Sequence, residues 1–194
     1  MNENSENVTA SNNKPSALYS LFDWVAMIAL YFAIAMLVLV VFFTHSPVNG
    51  SSMNPTLSDG DVVIISKFAY TPKNGDIIVC QSSESYGLEK PLVKRIIATE
   101  GQTVSIDYTN RTVTVDGKLL DESYITSGTN AFDKSDYLED TFVVPKGKVF
   151  VMGDNRTHGG SADSRLQEIG MIDEGYIVGK VVLRLFPLNS IKTF

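Results

Sequence analysis

Twenty consecutive residues, Trp24 to Phe43, read WVAMIALYFAIAMLVLVVFF and carry no charge. As an α-helix this run is roughly 30 Å long at about 1.5 Å per residue, the thickness of a bilayer's hydrocarbon core. A core helix of a small soluble domain keeps a polar stripe, and this run has none. It therefore reads as a membrane span. A cleaved leader is the competing reading, but its apolar part is about 7–15 residues, follows several positive charges and ends at a small-x-small site. Here the run is longer, Met1–Asp23 holds one Lys (Lys14), and Thr-His-Ser-Pro-Val-Asn-Gly follows, so the span is expected to stay uncleaved. Lys14 is the only Lys or Arg before Lys67. That single charge favours a cytoplasmic N-terminus and an extracytoplasmic remainder. The expected organisation is a polar, disordered tail over 1–23, a transmembrane helix over 24–43, and one exterior domain over 44–194.

The 151 residues after Phe43 suffice for one compact domain with its own core. Short alternating or β-branched runs predict strands at Asp61–Ser66, Asp76–Gln81, Leu92–Ala98, Thr103–Asp107, Thr112–Val115, Thr141–Val144, Lys148–Met152 and Tyr176–Leu185. Turns are legible at Thr109-Asn110-Arg111, Asp116-Gly117, Pro145-Lys146-Gly147 and Gly153-Asp154-Asn155. No amphipathic helix competes with this pattern, so the domain is predicted to be mainly β, without βαβ alternation. Ser123–Asp140, with its turn residues and mixed charge, reads as a surface excursion. The 16 Lys and Arg against 22 Asp and Glu argue against a nucleic-acid partner. One cysteine, Cys80, excludes an internal disulfide and CxxC frameworks, and His45 and His158 are too far apart for HExxH. No metal and no cofactor are expected.

Three segments could carry chemistry. The first, Gly50-Ser51-Ser52-Met53-Asn54-Pro55-Thr56-Leu57, places two hydroxyls on a tight turn just beyond the span, or is merely a linker. In the second, Pro91-Leu92-Val93-Lys94-Arg95-Ile96-Ile97, strand alternation puts Lys94 between Leu92 and Ile96 on one face. Lys94 is then either an edge lysine reaching water or a desolvated amine with a lowered pKa. The third joins Gly153-Asp154-Asn155-Arg156 to Ser161-Ala162-Asp163-Ser164-Arg165, dense enough in paired charges for a braced structural loop or for direct catalysis.

Together the SSMNPTL, VKRIIATEG and GDNR…SADSR segments, behind a membrane span, resemble the bacterial type I signal peptidases in their short, single-anchor form. The likeness extends over the turn Ser58-Asp59-Gly60-Asp61 and the closing IVGKVVLRLFPLNSI. It implies a β-rich catalytic domain and a Ser–Lys serine endopeptidase that removes signal peptides from exported pre-proteins. It further implies Ser52 as nucleophile, Lys94 as general base, and Ser161 as a hydroxyl that orients Lys94. Asp154, Arg156, Asp163 and Arg165 would form the ion-paired loop that keeps the site in shape. Two positions depart from the family pattern. Gly50 stands where some members carry a serine that helps bind the oxyanion, leaving the Ser52 N–H and a second, unnamed donor. The stretch from Arg156 to Ser161 is longer than usual, through Thr157, His158, Gly159 and Gly160.

A serine hydroxyl needs a neighbouring base, and Lys serves only when neutral. At a pKa of about 10.4 roughly one lysine in a few thousand is neutral at pH 7, and each unit of depression raises that fraction about tenfold. A rival triad of Ser52, His158 and Asp163 or Asp154 would rest on a glycine-flanked turn, a poor mount for a base. The resemblance also implies a substrate bound as an added strand, with shallow pockets for small side chains before the cut. Met53 and Leu92 are candidate pocket residues. Cys80 reads as a small buried apolar group and His45 as an interfacial residue. Two alternatives remain: a noncatalytic membrane-tethered β domain that binds exported proteins, and a relative dedicated to one partner such as a pilus subunit. The lipid bilayer is an expected partner.

Overall fold

The computed structural model describes residues 17–68, 70–81, 91–130 and 141–194. Two units are present, Met1–Val41 and Phe42–Phe194. The first carries helix α1, Ala17–Phe42. Its apolar part, Leu18–Phe42, has a mean hydropathy of 2.9 and no buried residue in its most apolar stretch. At about 1.5 Å per residue it is roughly 37 Å long, enough to cross a bilayer with some tilt. The helix begins seven residues before Trp24, so residues 17–23, read as tail, are helical. Phe43, read as the end of the span, instead opens a strand. The tail over residues 1–16 lies outside the described residues.

The second unit is built from antiparallel strands. These are β1 (Phe43–Pro47), β2 (Val62–Ser66), β3 (Ile77–Cys80), β4 (Leu92–Ala98), β5 (Thr103–Asp107) and β6 (Thr112–Val115). There follow β7 (Lys118–Leu119), β8 (Thr141–Val143), β9 (Lys148–Met152), β10 (Ile172–Asp173), β11 (Ile177–Phe186) and β12 (Lys192–Thr193). The larger sheet runs β1-β2-β11-β3-β4-β9-β10, with β12 also on β11; the smaller runs β7-β6-β5-β8. All eight strands read from the sequence are present, to within one residue at each end. β5 and β6 alternate buried and half-exposed residues, as half-buried strands must, whereas β3 is buried throughout and reads as a continuous apolar run. Four strands went unread. β1 (FTHSP) ends in Ser-Pro and adjoins the apolar span in sequence, which absorbed its Phe43, while β7, β10 and β12 have two residues each, too few for a period. The Asp116-Gly117 turn has positive φ at both residues (51° and 74°), the signature of a two-residue hairpin, and it joins β6 to β7.

Three apolar clusters fill the domain. Val104, Val113, Phe142 and Phe150 lie between the smaller sheet and β9. Met53, Leu57, Val63, Ile65, Val79 and Val181 form the second cluster, and Ile78, Cys80, Ile96 and Val151 belong to the third. Gly179 of β11 is required by packing: a Cβ there would lie 2.3 Å from the Ser66 carbonyl oxygen. The surface excursion is corrected in part. Thr129 is fully buried and Tyr124 packs on the Arg95 guanidinium at 4.0 Å, so these two brace the interior, while Ser123 and Thr126 are exposed as a surface stretch requires. Residues 131–140 of that excursion lie outside the described residues.

Candidate active site

The turn between β1 and β2 is pegged into the core by two side chains, Met53 (1% exposed) and Leu57 (0%). Its backbone closes through Asn54 N–H to Ser51 O (3.1 Å) and Leu57 N–H to Met53 O (2.9 Å). Ser52 sits half-buried on the outer side of this peg. Across from it, β4 carries Lys94, which is 2% exposed and stands in register with the fully buried Ile78 of β3. Lys94 Nζ donates to Ser52 Oγ at 2.8 Å. Burial is the main influence on Lys94 and pushes its pKa below the ordinary lysine value; the Asp163 charge opposes this and does not overcome it. The same contact can thus run in reverse: once the amine is neutral, its lone pair accepts the Ser52 hydroxyl proton.

The loop after β9 closes over this pair. Gly153 N–H donates to Asp163 Oδ2 (3.1 Å), and Asp163 is held by Arg165 through Nε (2.8 Å) and Nη2 (2.9 Å), with both side chains fully buried. Burial works to raise the Asp163 pKa, but the Arg165 charge and these hydrogen bonds together hold it below the usual carboxylate value. Asp154 takes two hydrogen bonds from Arg95, at 2.8 and 2.6 Å. Arg156 donates to Gly153 O (2.7 Å), to Thr129 Oγ1 (2.7 Å) and to Glu122. Ser161 is 2% exposed, and its Oγ has no hydrogen-bond partner among the described residues. A Cβ built on Gly153 would lie 2.3 Å from Ser161 Oγ and 2.3 Å from Ser52 O, so the loop touches both hydroxyl-bearing residues. Gly153→Ala must therefore displace the backbone of Ser52. An ångström-scale shift at a reacting group costs up to about a hundredfold, so kcat/KM is expected to fall at least about tenfold, as measured on a signal-peptide substrate.

Other residues singled out in the sequence fall differently. Gly50 is exposed at φ +86°, and its N–H is engaged by Asp59 Oδ1 at 2.6 Å, so its visible role is in the turn. Met53 is 1% exposed, packs into the core beside Leu57 and is not among the residues that line the small cleft. Leu92 does line a small cleft of about 70 Å³, with Val48, Asn49, Ser52, Val93 and Lys94 among its other walls. A larger hollow of about 200 Å³, between Lys67, Tyr70 and Glu174, contains neither Ser52 nor Lys94. His158 is exposed on the turn between Arg156 and Ser161. Among the described residues no group of three or more His, Cys, Asp or Glu is gathered as a metal would require. The sequence reading missed Arg95, although a second cation on a buried strand signals a buried partner. It also missed Glu122, Tyr124 and Thr129, which no local pattern ties to Arg156.

Residues 21–186 match the model of the family described as signal peptidase, peptidase S26. This chain belongs to the S26 signal peptidase family. The chain is 35% identical over 188 residues to signal peptidase IB of Staphylococcus aureus, covering 89% of this chain and 93% of the relative. It is 34% identical over 189 residues to signal peptidase I of Bacillus licheniformis, covering 94% and 96% of the two chains. A crystal structure described as a signal peptidase I from Enterococcus faecalis superposes with a TM-score of 0.45 at 26% identity, over 58% of this chain and 98% of that one. Like the family, this S26 peptidase is a serine endopeptidase.

Proposed function

We propose that this peptidase removes signal peptides from exported pre-proteins, with Ser52 as the nucleophile and Lys94 as the general base. The observation that carries the assignment is the 2.8 Å contact between Ser52 Oγ and the Nζ of a lysine only 2% exposed. A neutral Lys94 takes the Ser52 proton as Oγ attacks the scissile carbonyl. The Ser52 backbone N–H, which has no acceptor among the described residues, faces the developing oxyanion. Lys94 then gives its proton to the leaving amine, and water, activated by the same amine, releases the acyl group from Ser52.

Binding follows from the sheet. Leu92, Val93 and Lys94 pair with β3 on one side, while β9 pairs with β4 only from Arg95 onward. Among the described residues the other edge of Leu92–Lys94 carries no strand, which leaves it available to an extended peptide that adds as a strand. The cleft beside it is small, about 70 Å³, and suits small side chains before the cut. Ser161 Oγ makes no hydrogen bond to Lys94 among the described residues, so its proposed orienting role requires it to turn toward Nζ, while the Asp163–Arg165 and Asp154–Arg95 pairs serve as the frame. Helix α1 anchors the enzyme in the membrane with its N-terminus inside, as Lys14 favours. Ser52 is nine residues beyond Phe43, so it stays within about 30 Å of the bilayer, where the substrate's own apolar segment ends.

The test is incubation of the purified full chain in detergent micelles with a model pre-protein, with the cut mapped by mass. Wild type is expected to cut once, after a small residue, and Ser52→Ala to be slower by about 10³-fold or more. A Ser52→Ala protein as fast as wild type overturns the assignment.

A further inference from the structure

We infer that Asn155 is a positioning residue that fixes the nucleophile and its oxyanion-binding N–H by gripping both peptide planes flanking Ser52. This rests on the proposed role of Ser52. Asn155 Nδ2 donates to Ser51 O at 3.1 Å, and Asn155 N–H donates to Ser52 O at 3.0 Å. Those two carbonyls belong to the peptide units on either side of the Ser52 Cα. A peptide unit is planar, so holding its carbonyl oxygen fixes the direction of its N–H. The Ser51–Ser52 bond is not among the cis peptides, so the Ser52 N–H points opposite to the Ser51 carbonyl that Asn155 holds. Fixing both planes also fixes φ and ψ of Ser52, and with them the direction in which Cβ carries Oγ toward Lys94.

Ser51 O also accepts from Asn54 N–H at 3.1 Å, but that bond lies inside the turn and moves with it. Asn155 ties the turn to a different segment, the loop that carries Asp154 and leads to Ser161. Its other amide atom, Oδ1, is committed elsewhere: it accepts from Thr157 N–H (3.3 Å) and Thr157 Oγ1 (2.5 Å). The two halves of the amide can therefore be separated by mutation. Asn155→Asp keeps the acceptor for Thr157 and turns the donor toward Ser51 O into a second acceptor. Asn155→Ala removes both.

Because the Asn155 main-chain bond and the Asn54 bond survive either change, a misaligned rather than absent oxyanion donor is expected. Complete removal of such a donor costs about 10²–10³ in kcat, so the expected loss here is about tenfold. The experiment compares wild type, N155D, N155A and Ser52→Ala in full-length form, in micelles, with the same pre-protein. Both Asn155 variants are expected to lose about tenfold in kcat with KM within about twofold. Their thermal midpoints should match wild type, and in N155A the ascending pH limb of kcat/KM should keep its position. A merely structural role would lower the midpoint or move that limb. The inference is overturned if N155D retains wild-type kcat, if KM alone changes, or if the loss comes with a lowered midpoint. If wild type and Ser52→Ala cut equally, the role of Ser52 itself fails and takes this inference with it; normal Ser52-dependent cutting with an unaffected N155D sinks the Asn155 inference alone.

Discussion

Exchanging Lys94 for Met is expected to lower kcat/KM on a signal-peptide substrate by about 10²- to 10⁴-fold, the range a positioned general base supplies. The same change is expected to leave the thermal midpoint at least as high as wild type. Lys94 is 2% exposed, and burial lowers its pKa from 10.5. Between the lowered pKa and 10.5 the unfolded chain binds more protons than the native one, so the contribution of Lys94 to stability rises with pH across that window. Below the window the folded state carries the full cost of a buried ammonium; above it, none. Met has a similar reach and no charge, so the variant escapes the cost at every pH. Scanning calorimetry at about pH 7 and about pH 10 checks this, with the gap between variant and wild type closing at the higher pH. A Lys94→Met protein that unfolds well below wild type would mean that the ammonium is paired and stabilising, the opposite of a poised base.

The second large effect falls on stability. Asp163→Ala should destabilise the domain by about 3–5 kcal/mol, because it leaves Arg165 charged and fully buried with its principal counter-ion gone. For a domain of this size that is a drop of roughly 10 °C in thermal midpoint. In wild type the Asp163 carboxyl titrates below its ordinary 3.8, so the pair's stabilisation is complete above that pH and is lost as the pH falls through the lowered value. Melting curves of wild type and Asp163→Ala should thus stay apart at about pH 4 and converge only as the pH falls through that lowered value, where the native carboxyl is protonated as well. Activity should fall along with folding, since Asp163 also accepts from Gly153 N–H beside Ser52. An Asp163→Ala protein with an unchanged midpoint would remove the ion pair from the frame of the site.

The sequence carried the strands because β5 and β6 alternate, while β2 and β3 are short β-branched apolar runs bounded by turn residues, which favour a strand over a helix. It carried Ser52 and Lys94 through the motifs around them, and alternation alone set Lys94 among aliphatic neighbours. What it could not carry were relations between distant segments. Arg156 meets Glu122 and Thr129, more than twenty-five positions away, and nothing local marks either residue. Asn155 stood inside a quoted motif without a role, because its acceptors are main-chain carbonyls, which no side-chain pattern reveals. Met53 was read as a wall residue because it adjoins Ser52 in the chain. In a turn, the neighbour of an outward residue points inward, and here it pegs the turn to the core.

In the proposed mechanism an uncharged Lys94 removes the Ser52 proton, and the pH dependence of kcat/KM tests it most directly. Measured on one signal-peptide substrate from about pH 6 to about pH 10, the rate is expected to climb along a single ionisation below the ordinary lysine value, and that ionisation should be missing from the residual activity of Lys94→Met. A profile that stays level across the whole range, or a limb that persists in Lys94→Met, would contradict it.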